Sequence, residues 1–266
     1  MCAIHVAPAA PATPRPPPRD LPARVQLDWD ALGAVTHPPP PTTERDDLPP
    51  AARRWLDHVL PPGAEGLRHA ELWTHGEIRI GRWRPFRARQ VIVPDRGYVW
   101  WARAGRGPLA VRGFDRLIDG VGEMRWRLAG LVPVMSATGP DVTRSAAGRL
   151  AAEMVLCPPG ALAPSVRWWG CDDDDHAVAE AAILGHPHRM TIAVTRGGRM
   201  TGLDLERWGD PDGAGAALHT FAVRFAGEVR TGGVAVPAVM RAGWVTADGR
   251  DLGESFRATI DGIVLR

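Results

Sequence analysis

Residues 70–80 read Ala70-Glu71-Leu72-Trp73-Thr74-His75-Gly76-Glu77-Ile78-Arg79-Ile80. Ala70, Leu72, Thr74, Gly76, Ile78 and Ile80 alternate strictly with the charged, His and Trp positions. Successive side chains on a strand point to opposite faces, so this period of two predicts a strand with one dry and one wet face. The same pattern returns at Met124, Trp126 and Leu128 against Glu123, Arg125 and Arg127. A sheet that alternates in this way is antiparallel and covered mainly on one side.

Working outward, residues 86–93 place Phe86, Ala88, Gln90 and Ile92 on one face. Arg96-Gly97 predicts a turn into a strand over 98–103, and 109–114 predicts another. Asp119-Gly120 is a tight-turn signal leading into 122–128. Residues 131–136 read as an extension or bend of that strand around Gly130. In the second half, 166–169, 176–184, 189–195, 200–208, 218–229, 236–245 and 256–264 read as strands, with Gly197-Gly198 joining two of them. Short turns between consecutive strands argue for an antiparallel meander rather than βαβ units. The expected fold is mainly β: a strongly curved antiparallel sheet or open barrel of about 11–12 strands wrapped around one long helix.

That helix is predicted over about 142–156. Gly139-Pro140 opens it, Asp141 or Thr143 caps it, and Pro158-Pro159-Gly160 ends it. Ala147, Leu150, Ala151 and Met154 form its apolar stripe. A shorter helix starts at Pro49-Pro50, carries Trp55, Leu56, Val59 and Leu60 on one side, and stops at Pro61-Pro62-Gly63. The first 47 residues, with Pro16-Pro17-Pro18 and Pro38-Pro39-Pro40-Pro41, read as a disordered Pro-rich leader. Residues 48–266 read as a single β-rich domain.

Composition narrows the functional classes. An apolar content of 45% supports a sizeable core, and a net charge of +2 gives no overall field for nucleic acid or an anionic membrane. All 32 basic residues are Arg, a uniformity attributed to coding bias. Cys2, Cys157 and Cys171 are odd in number and widely spaced, which predicts reduced thiols and no disulfide framework. No stretch approaches a membrane span and no apolar leader core is present, so the expected location is the cytoplasm, with no integral membrane segment. Oligomeric state is left open.

From Trp83 onward the chain resembles a large bacterial family catalogued only as a domain of unknown function. The resemblance runs from about Leu48 to the C-terminus. It rests on Trp83-Arg84-Pro85-Phe86-Arg87-Ala88-Arg89-Gln90, Gly97-Tyr98-Val99-Trp100 with Ala102, Gly113-Phe114-Asp115, Asp119-Gly120-Val121-Gly122 and Gly130-Leu131-Val132-Pro133-Val134. Gly139-Pro140, Glu153, Glu206-Arg207, Pro237 and Trp244 also match. The family's helix usually carries bulky aromatics where this chain has Met154, Val155 and Leu156, and a late aromatic-aromatic-Arg cluster is here Ser255-Phe256-Arg257. The resemblance implies an open β-barrel similar to the lipoprotein-localisation-factor fold and brings no activity with it.

Candidate chemistry is sparse. His186-Pro187-His188 matches no zinc spacing, and Pro187 predicts a solvated loop. Asp172-Asp173-Asp174-Asp175 lacks the Gly and distal Glu of a calcium loop and reads as a solvated hairpin tip. No nucleophile elbow and no phosphate loop is present. No catalytic residue, metal or cofactor is assigned. Glu153 lies beside the helix's apolar stripe, where a buried carboxylate needs a partner, with Arg125, Arg127, Arg167 and Arg207 as candidates. It reads either as a helix-to-sheet salt bridge or as a polar anchor in a ligand cavity. The pairs Trp100-Trp101 and Trp168-Trp169 put one indole on each face, so both faces need cover, either by protein packing or by something bound. The expected ligand-binding set is Glu153, Trp100, Met124, Trp126, Trp168 and Arg207. Three functional readings follow. The leading one is a non-enzymatic binder of an apolar or amphipathic small molecule. The others are an enzyme using Glu153 as general acid or base, and a structural protein with a filled core.

Overall fold

Strand β1 (Ala70–Ile80) is the hub of the molecule, and its alternation is realised: Ala70 and Leu72 are buried inward while Ile78 and Thr74 line an internal cavity. The computed structural model describes residues 14–34 and 43–266. From β1 the chain runs as a meander through β2 (Arg82–Val93), β3 (Gly97–Ala104), β4 (Val111–Ile118), β5 (Val121–Leu128) and β6 (Val132–Thr138). Helix α3 (Pro140–Ala152) then crosses to the far edge. There β7 (Val166–Gly170) starts a second meander through β8 (His176–Ile183), β9 (His186–Val194), β10 (Met200–Gly209), β11 (Ala217–Thr231), β12 (Val234–Val245) and β13 (Asp251–Leu265). The last strand pairs with β1, giving one 13-stranded antiparallel sheet with edges β6 and β7.

The curl of this sheet follows from its contacts. Helix α3 packs on both β5 and β10, although these strands are eight positions apart in the sheet order. One helix can touch both only if the sheet wraps around it. The expected stripe is the buried one: Ala147, Leu150, Ala151 and Met154 all face inward. Close approach to β5 depends on Gly122, where a Cβ would stand 2.6 Å from Thr143 Cα. Helix α2 (Pro50–Val59) packs against β7, β8, β9 and β12. Its Trp55 packs on Trp168 in a tilted arrangement, with ring centroids 6.3 Å apart.

Several expectations are corrected. The 131–136 segment is not a bend in the preceding strand. Ala129 and Gly130 both have positive φ (54° and 75°), making a tight turn that folds β6 back on β5. Leu184 and Gly185 do the same (53° and 76°), so the strand begins at His186 and the predicted loop at His186-Pro187-His188 is strand β9, with His188 buried. Helix α3 starts at Pro140 with Gly139 as its cap and gives way to a 3-10 turn from Glu153. Asp141 and Thr143 serve otherwise, accepting from Trp208 Nε1 and Gly122 N. Asp172–Asp175 does form a hairpin tip, tied by Asp173 Oδ1 accepting from the backbone N–H of Asp175 and His176.

The largest correction concerns the leader. Helix α1 (Ala23–Gly33) lies inside it and buries Val25, Trp29 and Leu32 against the outer face of β2, β3 and β4. Val91, Val93, Val99, Phe114 and Ile118 supply the other side of this second core, and Trp101 packs at its margin. The apolar positions at 25, 29 and 32 have helical spacing but are too few to signal a helix among so many prolines; they match an apolar patch that only the folded sheet assembles. This is also why Trp100 and Trp101 face opposite ways: Trp100 belongs to the inner core and Trp101 to the outer one. The remaining leader residues, 1–13 and 35–42, lie outside the described ones.

Candidate functional site

The inner face of the curled sheet and α3 do not fill the space between them. They leave a cavity of about 360 Å³, bounded by apolar side chains that include Phe221, Phe225, Met240, Trp244 and Phe256. Aromatic contacts order this wall: Phe221 meets Trp244 edge-on at 4.9 Å, and Phe256 stacks on Phe86 at 5.2 Å. A volume of this size lies within the range of small-molecule sites.

Most polar groups at the cavity wall cluster around the C-terminal end of α3. Glu153 is the C-cap of that helix. A carboxylate there opposes the helix dipole, and two donors compensate it. Arg149 Nε donates to Oε1 at 2.7 Å from one turn earlier, and Gln90 Nε2 donates to Oε2 at 2.7 Å from β2. Arg149 also reaches Asp115 Oδ2 at 3.2 Å, and the other oxygen of Asp115 accepts from Trp126 Nε1 at 2.8 Å. The Arg149 guanidinium lies over Tyr98 and Trp100, at 4.7 and 4.9 Å from the ring centroids. Burial works against the Arg149 charge, yet Glu153, Tyr98 and Asp115 outweigh it and hold its pKa above the ordinary value. Burial raises the Asp115 carboxyl despite Arg149.

Arg207 stands apart. Its Nε donates to Ser145 O at 3.1 Å, and its guanidinium lies over Phe221 and Trp244 at 5.2 and 5.3 Å. Among the described residues it forms no ion pair, and its Nη nitrogens have no hydrogen-bond partner. Burial draws its pKa down to about 10, which leaves it a cation at neutral pH. The site therefore holds two carboxylates and one arginine bonded to each other, and a second arginine held by stacking and one carbonyl.

Four of the six residues expected at a ligand site line this cavity: Glu153, Trp100, Met124 and Arg207. Trp126 stands behind it, holding Asp115. Trp168 does not belong to it: its Nε1 donates to Ala161 O and its ring packs on Trp55, at the far edge of the sheet. None of Arg125, Arg127 and Arg167 pairs with Glu153; Arg149, on the same helix, takes that place. Asp115, Gln90 and Arg149 were missed as site residues. The signal for Asp115 was its parity: it alternates in phase with Val111, Gly113 and Leu117, so it faces inward opposite Trp100 and Met124. A charge at an apolar parity is the readable mark, and Arg207 shares it with Leu203 and Leu205.

Of the other titratable groups, His69 and His188 are buried and held down to about 4 by desolvation. Burial pushes the Cys157 thiol up to about 12. Outside the cavity, Glu123 is desolvated, but hydrogen bonds from Arg24 and Arg116 outweigh that and hold it at about 2.

A family model described as "Family of unknown function (DUF6544)" matches residues 40–252, in agreement with the motif resemblance. No curated protein matches the sequence significantly. Among solved structures, a putative outer membrane lipoprotein-sorting protein domain from Vibrio parahaemolyticus is similar, at 10% identity and a TM-score of 0.45, over 84% of this chain and 94% of that one. A LolA superfamily protein from Nitrosomonas europaea is similar at 8% identity and a TM-score of 0.43, over 81% of this chain and 92% of that one. The expected cytoplasmic location is withdrawn on this finding, since the first of these structures is described as belonging to outer membrane lipoprotein sorting. Three scattered cysteines fit more than one compartment and do not decide between them.

Proposed function

We propose that this chain, which belongs to the DUF6544 family of unknown function, is a binding protein for an amphipathic small molecule with an anionic head and an apolar tail. The observation that supports this most is Arg207, a cation without an ion-pair partner at the wall of a largely apolar cavity. Asp115 and Glu153 lie near enough to favour its charge, but its Nη donors have no bonded acceptor among the described residues, and an anionic ligand head would supply one. The aromatic and Met side chains of β11, β12 and β13 offer a surface suited to an alkyl or isoprenoid tail.

The general acid or base reading of Glu153 fits the geometry less well. Both its oxygens already accept charge-assisted or amide hydrogen bonds, so it is placed to hold α3 against β2 rather than to exchange a proton with a substrate.

Titration with dodecanoate, dodecanol and dodecylammonium below their aggregation limits, read by Trp fluorescence, tests the proposal. Dodecanoate is expected to bind saturably and most tightly. Arg207→Met should weaken dodecanoate by about tenfold or more while changing dodecanol little, since a hydrogen bond to a charged group is lost. Equal affinity for the three probes, or none, overturns the reading.

A further inference from the structure

On the outer face of the sheet, four adjacent strands place arginine directly opposite arginine. Arg87 of β2 pairs in register with Arg103 of β3, Arg103 with Arg112 of β4, and Arg112 with Arg127 of β5. Residues directly opposite across antiparallel strands lie about 5 Å apart, so these four cations form a row about 15 Å long. Like charges in this arrangement destabilise a sheet. Among the described residues none of the four forms an ion pair; Arg103 donates to Gly107 O, and the rest of the row has no carboxylate. Most acids nearby on this face are already engaged, and Asp20 is not. Glu123 is taken by Arg24, Arg116 and Arg125, Asp28 by Arg116, and Glu71 by Arg89. The undescribed segments 1–13 and 35–42 contain no acidic residue to supply one.

On β3, β4 and β5 the row is the last outward-facing rung before the turns. Just beyond it, the turn between β3 and β4 and the turn between β5 and β6 are joined by Ala129 N donating to Ala110 O. These two turns present Leu109 at 66% exposure and Leu131 at 76%, with Val132 at 57% beside them. A groove of about 440 Å³ lies between residues 20–22 and Arg112, Arg125 and Arg127; Asp20 lines it and forms no ion pair among the described residues.

We propose that this end of the outer face docks on an anionic lipid bilayer, with Arg87, Arg103, Arg112 and Arg127 against lipid phosphates and Leu109 and Leu131 entering the headgroup region. Unpaired arginines suit phosphate, and each basic residue near an anionic surface adds to the affinity. Exposed leucines on turns at the same end supply the apolar contact that surface binding also uses. The leucines favour a bilayer over nucleic acid, which would use exposed aromatic platforms or groove-reading elements. The docking face lies on the opposite side of the sheet from the cavity, so it stands whether or not the cavity binds an amphiphile.

Flotation of the full chain with vesicles of phosphatidylcholine alone, and with about one-third phosphatidylglycerol, tests this. Binding is expected only with phosphatidylglycerol and should fall as salt rises. Arg112→Gln with Arg127→Gln should weaken it about 25-fold, near fivefold per arginine. The same pair should not lower the thermal midpoint, because it relieves like-charge contacts, and it should leave dodecanoate binding unchanged. Leu109→Ser with Leu131→Ser should weaken vesicle binding at constant charge. Equal binding to both vesicles, wild-type binding by the arginine pair, or preference for a single- or double-stranded oligonucleotide over vesicles overturns the proposal.

Discussion

Replacing Arg149 with Met removes the cation at the centre of the cavity's polar cluster while keeping most of its apolar stem. Arg149 is 18% exposed, and its two carboxylate partners, Asp115 and Glu153, are 14% and 13% exposed. The variant leaves Glu153 with Gln90 alone and Asp115 with the Trp126 indole alone. Stranding buried charge in this way costs about 3–5 kcal/mol. Met fills part of the space over Tyr98 and Trp100, so the lost packing adds little. The expected loss at pH 7 is about 4 kcal/mol, a large share of a typical domain's stability. Burial already raises the Asp115 carboxyl, and without Arg149 it binds a proton more tightly folded than unfolded, so the loss relative to the wild type shrinks as the pH is lowered. Urea unfolding followed by Trp fluorescence at pH 7 and at pH 5 reads both effects. Adding Asp115→Asn and Glu153→Gln to Arg149→Met should restore most of the loss at pH 7, because no buried charge is then stranded. A loss below about 1 kcal/mol, or the same loss at both pH values, would refute the argument that Arg149 neutralises this cluster.

Gly122→Ala should cost about 1–3 kcal/mol by forcing α3 away from β5, whereas Gly33→Ala, with nothing within 4 Å of the added methyl, should be nearly neutral; chemical denaturation compares them. Trp29→Ala should destabilise by about 3–5 kcal/mol in thermal or urea melts if α1 seals the outer core, and a wild-type midpoint would show the helix to be dispensable. His69 and His188 have folded pKa values near 4, below the unfolded value of about 6.5, so the unfolded chain binds their protons more tightly. Stability should therefore fall as the pH drops from about 6.5 towards 4, by up to about 3 kcal/mol per residue, and His69→Gln with His188→Gln should flatten that slope in a pH series of melting curves.

The β architecture was legible because alternation of period two is a local property of the chain. Ala70 to Ile80 and Met124 to Leu128 declare their inner and outer faces without any partner. The crossing helix was equally legible, since Ala147, Leu150, Ala151 and Met154 fall on one stripe and proline-glycine signals bound it. The same parity rule holds the mark of Asp115 and Arg207, two charges in phase with apolar neighbours. What the chain alone could not state is which of these inward charges meet. Arg149 against Asp115 and Glu153, with Arg207 left over, depends on β2, β4, β10 and α3 being brought together by a sheet that curls through 13 strands. Helix α1 was hidden for a related reason: Val25, Trp29 and Leu32 gain their stability from an apolar patch on three folded strands, not from their own proline-rich surroundings. The arginine row is likewise a matter of register. Arg87, Arg103, Arg112 and Arg127 are scattered singly in sequence, and only hydrogen-bonded pairing of four strands sets them side by side, because in a sheet the nearest neighbours of a side chain come from other strands.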